Sequence, residues 1–213
     1  MRRFRVTFSK GEAVRYISHL DLMRTWERLL RRAGLKLAHS QGFNPRPRLV
    51  FAAPLPVATT SEAEIVDVTV EDELTVPEFE ERLRPKLPPG IELLAIEETP
   101  LEGRAVMASV ASSDYLVELE AEAELEGAIA RFLASSSVAY QRTRKGKSKP
   151  ADMRPAVLAL WADGDKLGMR LRLDVEGLAV RPEEVVRALD PAWQARRVHR
   201  VALHLKQDAQ HAA

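Results

Sequence analysis

The hydrophobic periodicity of this chain runs through one cycle twice, and that recurrence restricts the fold more than any single motif does. FRVTFSK (4–10) sets Phe4, Val6 and Phe8 against Arg5, Thr7 and Ser9, the two-residue period of a half-buried strand. SHLDLMRTWERLLRRAG (18–34) then switches to the helical period, with Leu22, Trp26, Leu29 and Leu30 on one stripe that Ala33 closes. Ser18 with Asp21 three residues on has the form of a capping box, and Gly34 is placed as the C′ residue that stops the helix. LKLAHS (35–40), RLVFAA (48–53) and EAEIVDVTVE (62–71) read as strands. VPEFEERLRPKL (76–87) reads as a helix halted by Pro88-Pro89-Gly90, and IELLAIEETP (91–100) as the closing strand.

The cycle then repeats. YLVELEAE (115–122) is a strand and LEGAIARFLASS (125–136) a helix. VAYQRTRK (138–145), AVLALWAD (156–163) and KLGMRLRLD (166–174) are strands, the last two joined at Asp163-Gly164-Asp165. RPEEVVRALD (181–190) is a helix with Pro182 in its first turn, and RRVHRVALHL (196–205) is the last strand. Strand, helix, strands, helix, strand, taken twice, predicts an α+β fold of two tandem ferredoxin-like halves with antiparallel sheets. The expected boundaries are residues 1–100, a linker over 101–113, a second half over 114–206, and a disordered tail over 207–213, where periodicity is lost.

Composition removes several classes of chemistry. The chain has no cysteine, which excludes disulfides, thiolate zinc sites, cysteine-ligated iron–sulfur clusters and a cysteine nucleophile. No run approaches the roughly 18 apolar residues of a membrane span, and MRRFRVTFSKG lacks the apolar core of a signal peptide. A cytoplasmic location without membrane attachment is the expectation. HExxH, Walker A, GxGxxG and GxSxG patterns are all missing.

Charge is close to balanced overall but lopsided along the chain. Residues 1–50 carry 12 Lys/Arg against 3 Asp/Glu, residues 51–130 carry 4 against 19, and residues 131–213 carry 16 against 9. Two basic blocks around an acidic one can either converge on a polyanion or pair internally with the acidic block.

The sharpest candidate lies in SQGFNPRPRLVFAAPLP (40–56). Pro45 and Pro47 bias Asn44 and Arg46 toward extended backbone, so Arg46 and Arg48 stand on a stiffened arm just before a buried strand. Guanidinium groups held this way suit bidentate contact with phosphate, and Phe43 offers a ring for stacking on a base. The alternative is a surface loop whose arginines pair with the acidic block while Phe43 packs in the core. A second candidate is the face formed by Arg24, Arg28, Arg31 and Arg32, with Glu27 as its one acid; an ordinary surface helix also shows a charged face. A third is RTRKGKSKPADMR (142–154), where Arg142, Arg144, Lys145, Lys147 and Lys149 suggest a flexible basic hairpin tip that is either solvated or set against phosphates. His19, beside Ser18 at a helix start, could grip a phosphate or serve as a general acid or base. The other histidines have no metal-ligand spacing.

GEAVRYISHLDLMRTWERLLRRAGL, followed by HSQGFNPRPRLVFAAPLPVATTSEAEIVDV, resembles the radical SAM-associated proteins of bacteria, a domain family without settled function. The positions that carry the resemblance are Ser18, His19, Asp21, Arg24, Gly42, Phe43, Asn44, Pro45, Pro47, Ser61 and Glu64. It implies an accessory that accompanies a radical SAM protein and presents RNA or a ribosomal component to it. The iron–sulfur cluster, S-adenosylmethionine and cobalamin would then belong to that partner and not to this chain. A looser, architectural resemblance links tandem ferredoxin-like halves to the metal-independent CRISPR repeat-processing endonucleases. KLGMRLRLDVEGL, with two spaced glycines, departs from their glycine-rich loop. Non-catalytic RNA binding, RNA cleavage involving His19, and a protein–protein adaptor role are the three functions carried forward.

Overall fold

The alternation of Phe4, Val6 and Phe8 becomes β1 (Arg2–Lys10), whose even-numbered residues from Phe4 onward are all buried. The computed structural model describes residues 1–120, 123–144, 146–173 and 180–206, and gives only the backbone of residues 143, 144 and 147. The expected tail 207–213 lies outside the described residues. The chain divides into two compact units, Met1–Val110 and Ala111–Ala213.

In the first unit, β1 is followed by α1 (His19–Arg32), β2 (Leu49–Phe51), β3 (Thr59–Val70), α2 (Val76–Leu83), β4 (Ile91–Thr99) and α3 (Val106–Ser109). The sheet order is β4-β1-β3, with β2 on the other side of β3, and each of these pairings is antiparallel. Register places Val6 opposite Val66 and Ile96, and Phe51 opposite Val66, so one face is continuously apolar. That face carries the core. Leu22, Trp26, Leu29 and Leu30 of α1 and Phe79 and Leu83 of α2 cover it. Phe8 packs on Trp26 with ring centroids 4.7 Å apart, and Phe4 stacks on Phe79 at 4.4 Å. Each such ring contributes roughly 1.5–3 kcal/mol by burial.

Local chemistry sets the helix ends where the sequence places them. The Ser18 hydroxyl accepts the Asp21 N–H at 3.2 Å. At the other end Leu35 N–H donates to Leu30 O (3.1 Å) and Gly34 N–H to Arg31 O (3.0 Å), with Gly34 at φ +71°. That is a Schellman motif, and it occupies the Leu30 and Arg31 carbonyls. The expected helix over 76–87 is shorter. Thr75 and Glu78 cap its start reciprocally, but Pro85 has no N–H to continue the ladder and residues 84–86 tighten into a 3-10 turn.

Residues 101–113, expected as a linker, hold α3 and the first four residues of β5 (Val110–Leu119). Val106 is fully buried, and α3 packs on β2 and β3. The second unit continues with α4 (Leu125–Ala134), β6 (Ala139–Arg144), β7 (Lys147–Asp152), β8 (Val157–Asp163), β9 (Lys166–Arg172), α5 (Pro182–Leu189) and β10 (Ala195–Leu205). Its sheet order is β10-β5-β9-β8. Tyr115, Val117, Met169 and Leu171 face α4 and α5 through Ile129, Phe132, Val185 and Val186. Trp161 lies opposite Gly168, and its indole fills the space that a Cβ on Gly168 would need, only 2.1 Å away.

Number the four sheet strands of either unit in chain order and both read 4-1-3-2, with a helix after the first and after the third. The fold is therefore α+β, built of two ferredoxin-like halves with antiparallel sheets. Both halves carry an insertion at one joint, between the first helix and the second strand. In the first it is the arm 35–48, and in the second the separate β6–β7 hairpin. Each half also has one bidentate Arg–Asp pair between its first and third strands, out of phase with the apolar residues. Arg5 grips Asp67 at 2.8 and 3.1 Å, and Arg170 grips Asp114 at 2.6 and 2.8 Å.

Candidate nucleic-acid interface

The arm is closed by its own backbone. Ala38 N–H donates to Thr69 O at 2.9 Å, which fixes the arm to β3, and Arg48 N–H returns to Ala38 O at 2.7 Å. Ser40 N–H donates to Arg46 O at 2.8 Å, while Arg46 N–H donates to the Ser40 hydroxyl at 3.0 Å. His39 and Pro47 form the bridge between these two rungs. The expected strand over 35–40 is thus reduced to isolated bridges at Leu37 and His39, because the chain turns back on itself within a few residues. The result is a narrow loop that presents Gln41, Gly42, Phe43, Asn44 and Pro45 at its tip, all exposed. Gly42 takes φ +133°, a value that side-chain-bearing residues rarely adopt.

Phe43 is fully exposed (109%), so the reading in which it packs in the core is excluded. Arg46 and Arg48 are exposed, and among the described residues neither guanidinium forms an ion pair. They lie two residues apart, and the chain turns tightly at Arg48, where Leu49 N–H donates to Pro47 O at 2.9 Å. Part of the acidic block is occupied elsewhere: Glu73 and Glu98 hold Arg2, Asp67 holds Arg5, Glu80 holds Arg84, and Glu118 meets Lys166 and Arg196.

Around the start of α1 the picture is different. Asp21 accepts the Ser18 hydroxyl at 2.7 Å and lies 3.3 Å from Arg24, and these contacts, led by Ser18, hold its carboxyl below the usual range. Ser18, Asp21 and Arg24 thus serve one another. Arg28 donates from Nε to the Arg24 carbonyl at 3.2 Å and stays exposed. The His19 ring stands edge-on to Phe51, centroids 5.3 Å apart, and is half-buried. Two neighbours that the sequence reading did not nominate complete this end. Tyr16 is exposed beneath the Arg15 guanidinium, which sits 4.6 Å from its ring centre. Lys10 is buried, and its ammonium donates to Arg15 O (2.8 Å) and Thr59 O (3.1 Å), tying the segment before α1 to the start of β3. Parity was the available signal for Lys10, since it falls in phase with Phe4, Val6 and Phe8.

In the second unit the basic segment is more ordered than the expected flexible tip. β6 and β7 pair from Ala139↔Asp152 to Arg144↔Lys147, with Gly146 at φ +74° in the tight connection. Register sets Arg142 opposite Lys149 and Arg144 opposite Lys147, two like-charge pairs directly across a ladder, which is destabilising unless an anion is near. Lys145 lies outside the described residues, as do the side chains of Arg144 and Lys147. The one acid of the segment, Asp152, accepts the N–H groups of Val138 (2.8 Å) and Arg154 (2.9 Å), which hold its carboxyl below the usual range. It pins the base of the hairpin. Among the described residues no group of three His, Asp or Glu is placed to hold a metal ion, and no helix is long and apolar enough to cross a membrane.

A family model described as "Uncharacterized protein conserved in bacteria (DUF2344)" matches residues 3–188. No curated protein matches the chain. Among solved structures it is similar to a chain of the crystal structure of a Cbf5-Nop10-Gar1 complex, at 8% identity and TM-score 0.49, over 96% of this chain and 50% of that one. It is also similar to a chain of the archaeal box H/ACA sRNP Nop10-Cbf5 complex, at 10% identity and TM-score 0.46, over 96% of this chain and 49% of that one. The chain spans about half the length of these two matched chains.

Proposed function

For this chain, which belongs to the uncharacterized bacterial family DUF2344, we propose a non-catalytic accessory role in which it binds RNA, or a ribosome-related substrate, and presents it to a separate radical SAM enzyme. The observation that carries the binding half is the loop tip. Phe43 is fully exposed between a permissive glycine and two arginines that have no ion partner among the described residues. An exposed ring offers a stacking platform for a base, and paired guanidinium forks offer bidentate grip on phosphate. The hairpin with its opposed cations supplies a second basic element. The partner half rests on the sequence resemblance and places the radical chemistry outside this chain.

His19 is poorly placed for the cleavage alternative, because its ring packs on Phe51. The adaptor alternative is the weaker one, because Asp67, Glu98 and Glu118 of the acidic block are paired with arginines and lysines of the same unit.

The test is binding of a fluorescein-labelled single-stranded RNA across a salt series. Phe43→Ala removes one stacked base, about 1–3 kcal/mol. Arg46→Lys and Arg48→Lys each lose a bidentate contact that lysine cannot reproduce, on the order of 2 kcal/mol or about thirtyfold in affinity. If the lysine variants bind RNA like the parent, the loop is scaffold and the reading fails. Copurification of a radical SAM protein from the native cell tests the partner half separately.

A further inference from the structure

On the C-terminal half of α1, away from its capped start, an open groove of about 420 Å³ runs between the helix and the 3-10 turn over residues 84–86. Its lining is Thr25, Arg28, Leu29, Arg31, Arg32, Lys86 and Pro88: four cations, one hydroxyl, an apolar floor and no carboxylate. We infer that this groove is a binding site for a phosphate-bearing ligand of nucleotide size.

A helix C-terminus favours basic residues, and that would account for Arg31 and Arg32 as caps. The backbone has already taken the hydrogen-bonding part of that role, since Ala33, Gly34 and Leu35 N–H groups bond the Leu29, Arg31 and Leu30 carbonyls, and the dipole alone is worth only about 0.3–1 kcal/mol per cation. Nor does the dipole account for Lys86, which arrives from a different element. Arg84, on the same turn, is paired with Glu80, whereas Arg31, Arg32 and Lys86 form no ion pair among the described residues. Bringing three unpaired cations and Arg28 around one concavity raises their mutual repulsion, which a multiply charged anion relieves. The fork geometry of arginine matches phosphate oxygens, and the volume lies within the range of small-molecule sites. Leu29 and Pro88 give a ligand's apolar part a surface. None of these residues belongs to the arm or to the hairpin, on which the RNA reading rests, although Arg28, Arg31 and Arg32 come from the basic helix face that the sequence also offers.

The experiment uses the full chain and three probes: inorganic pyrophosphate, ATP, and one RNA oligonucleotide prepared with either a 5′-phosphate or a 5′-hydroxyl. Titration calorimetry is expected to show pyrophosphate and ATP binding, weakened by about tenfold or more in Arg31→Gln/Lys86→Gln and unchanged in Arg131→Gln, an exposed cation of α4 outside the groove. If the ligand in the cell is an RNA end, the 5′-phosphorylated oligonucleotide binds more tightly than its 5′-hydroxyl form, and the groove variant abolishes that difference. If the ligand is a free nucleotide, ATP binds in the groove while the two oligonucleotides bind alike. Absence of pyrophosphate and ATP binding, or equal binding by the groove variant, overturns the proposal. Loss of RNA binding in the arm variant alone leaves it standing.

Discussion

Asp114 on β5 offers the most direct measurement of what the polar face of a ferredoxin-like half contributes. Its side chain is 11% exposed and takes two bonds from Arg170, at 2.6 and 2.8 Å, while His204 Nε2 lies 3.0 Å from Oδ2. Burial alone would push this carboxyl up, but the contacts from Arg170 and His204 together outweigh it and hold the group below its ordinary value. Asp114→Asn removes the charge and leaves the guanidinium one neutral acceptor. Losing a fully buried partner costs about 3–5 kcal/mol, and losing an exposed one about 0.2–1. Arg170 is 42% exposed and can rehydrate, so the expected cost at neutral pH is about 2 kcal/mol. For a unit of this size that is roughly a 10 °C fall in melting temperature. The sign with pH is fixed: a depressed carboxyl stabilises fully above its unfolded value of about 4, and the contribution is lost as pH falls through the folded value. The gap between parent and variant should therefore narrow below about pH 4. Melting curves, with hydrogen exchange at the β5 and β9 amides, read the effect in the relevant unit. Arg170→Met with Asp114→Asn should cost less than the sum of the single changes. The mirror pair is the internal control. Arg5 is 18% exposed and Asp67 3%, so Asp67→Asn should cost more. A cost below about 0.5 kcal/mol, or a gap that keeps its size in acid, would refute the reasoning.

Three further outcomes are expected. Replacing Arg142, Arg144, Lys145, Lys147 and Lys149 together by Ser or Gln should lower RNA affinity and flatten its salt dependence by several counterions, with melting unchanged or slightly raised because opposed like charges are gone; an unchanged salt slope counts against the hairpin. Lys10→Met deletes both bonds to the Arg15 and Thr59 carbonyls, and should cost about 2–3 kcal/mol and speed hydrogen exchange over residues 11–18; protection there equal to the parent's contradicts the tie. Gly168→Ala must displace the Trp161 indole, with a cost of about 1–3 kcal/mol and a shift in tryptophan emission; a parent-like spectrum and melting curve would show that the ring yields freely.

The apolar strands and amphipathic helices were legible because their periods are clean. Phe4, Val6 and Phe8, or Leu22, Trp26 and Leu29, admit one assignment each. Caps were equally legible at Ser18 and Gly34, where the chemistry is local. Elements built from small or charged residues were not. Ser112 and Ser113 gave no contrast, so the start of β5 at Val110 passed for linker. Residues 138–145 read as a strand, which β6 bears out, but the lysines and Pro150 of β7 hid its partner in the ladder. The closed form of the arm depends on hydrogen bonds between Ser40 and Arg46 and between Ala38 and Arg48, and no sequence period encodes such contacts. Burial of Lys10 and Glu64 was written in their phase with Phe8 and Val66, but charge argued the other way.

The shared joint between first helix and second strand has a consequence for how proteins of this kind can diverge. Closing a longer flexible segment costs only about 0.6 kcal/mol per doubling of its length, so extra chain enters there with little strain on the sheet behind it. Length and composition at that joint are free to drift in either half while the 4-1-3-2 framework stays constant. The arm and the hairpin are then two outgrowths from equivalent growth points. Exchanging or trimming either one is a route to altered recognition in which the hydrophobic cores take no part.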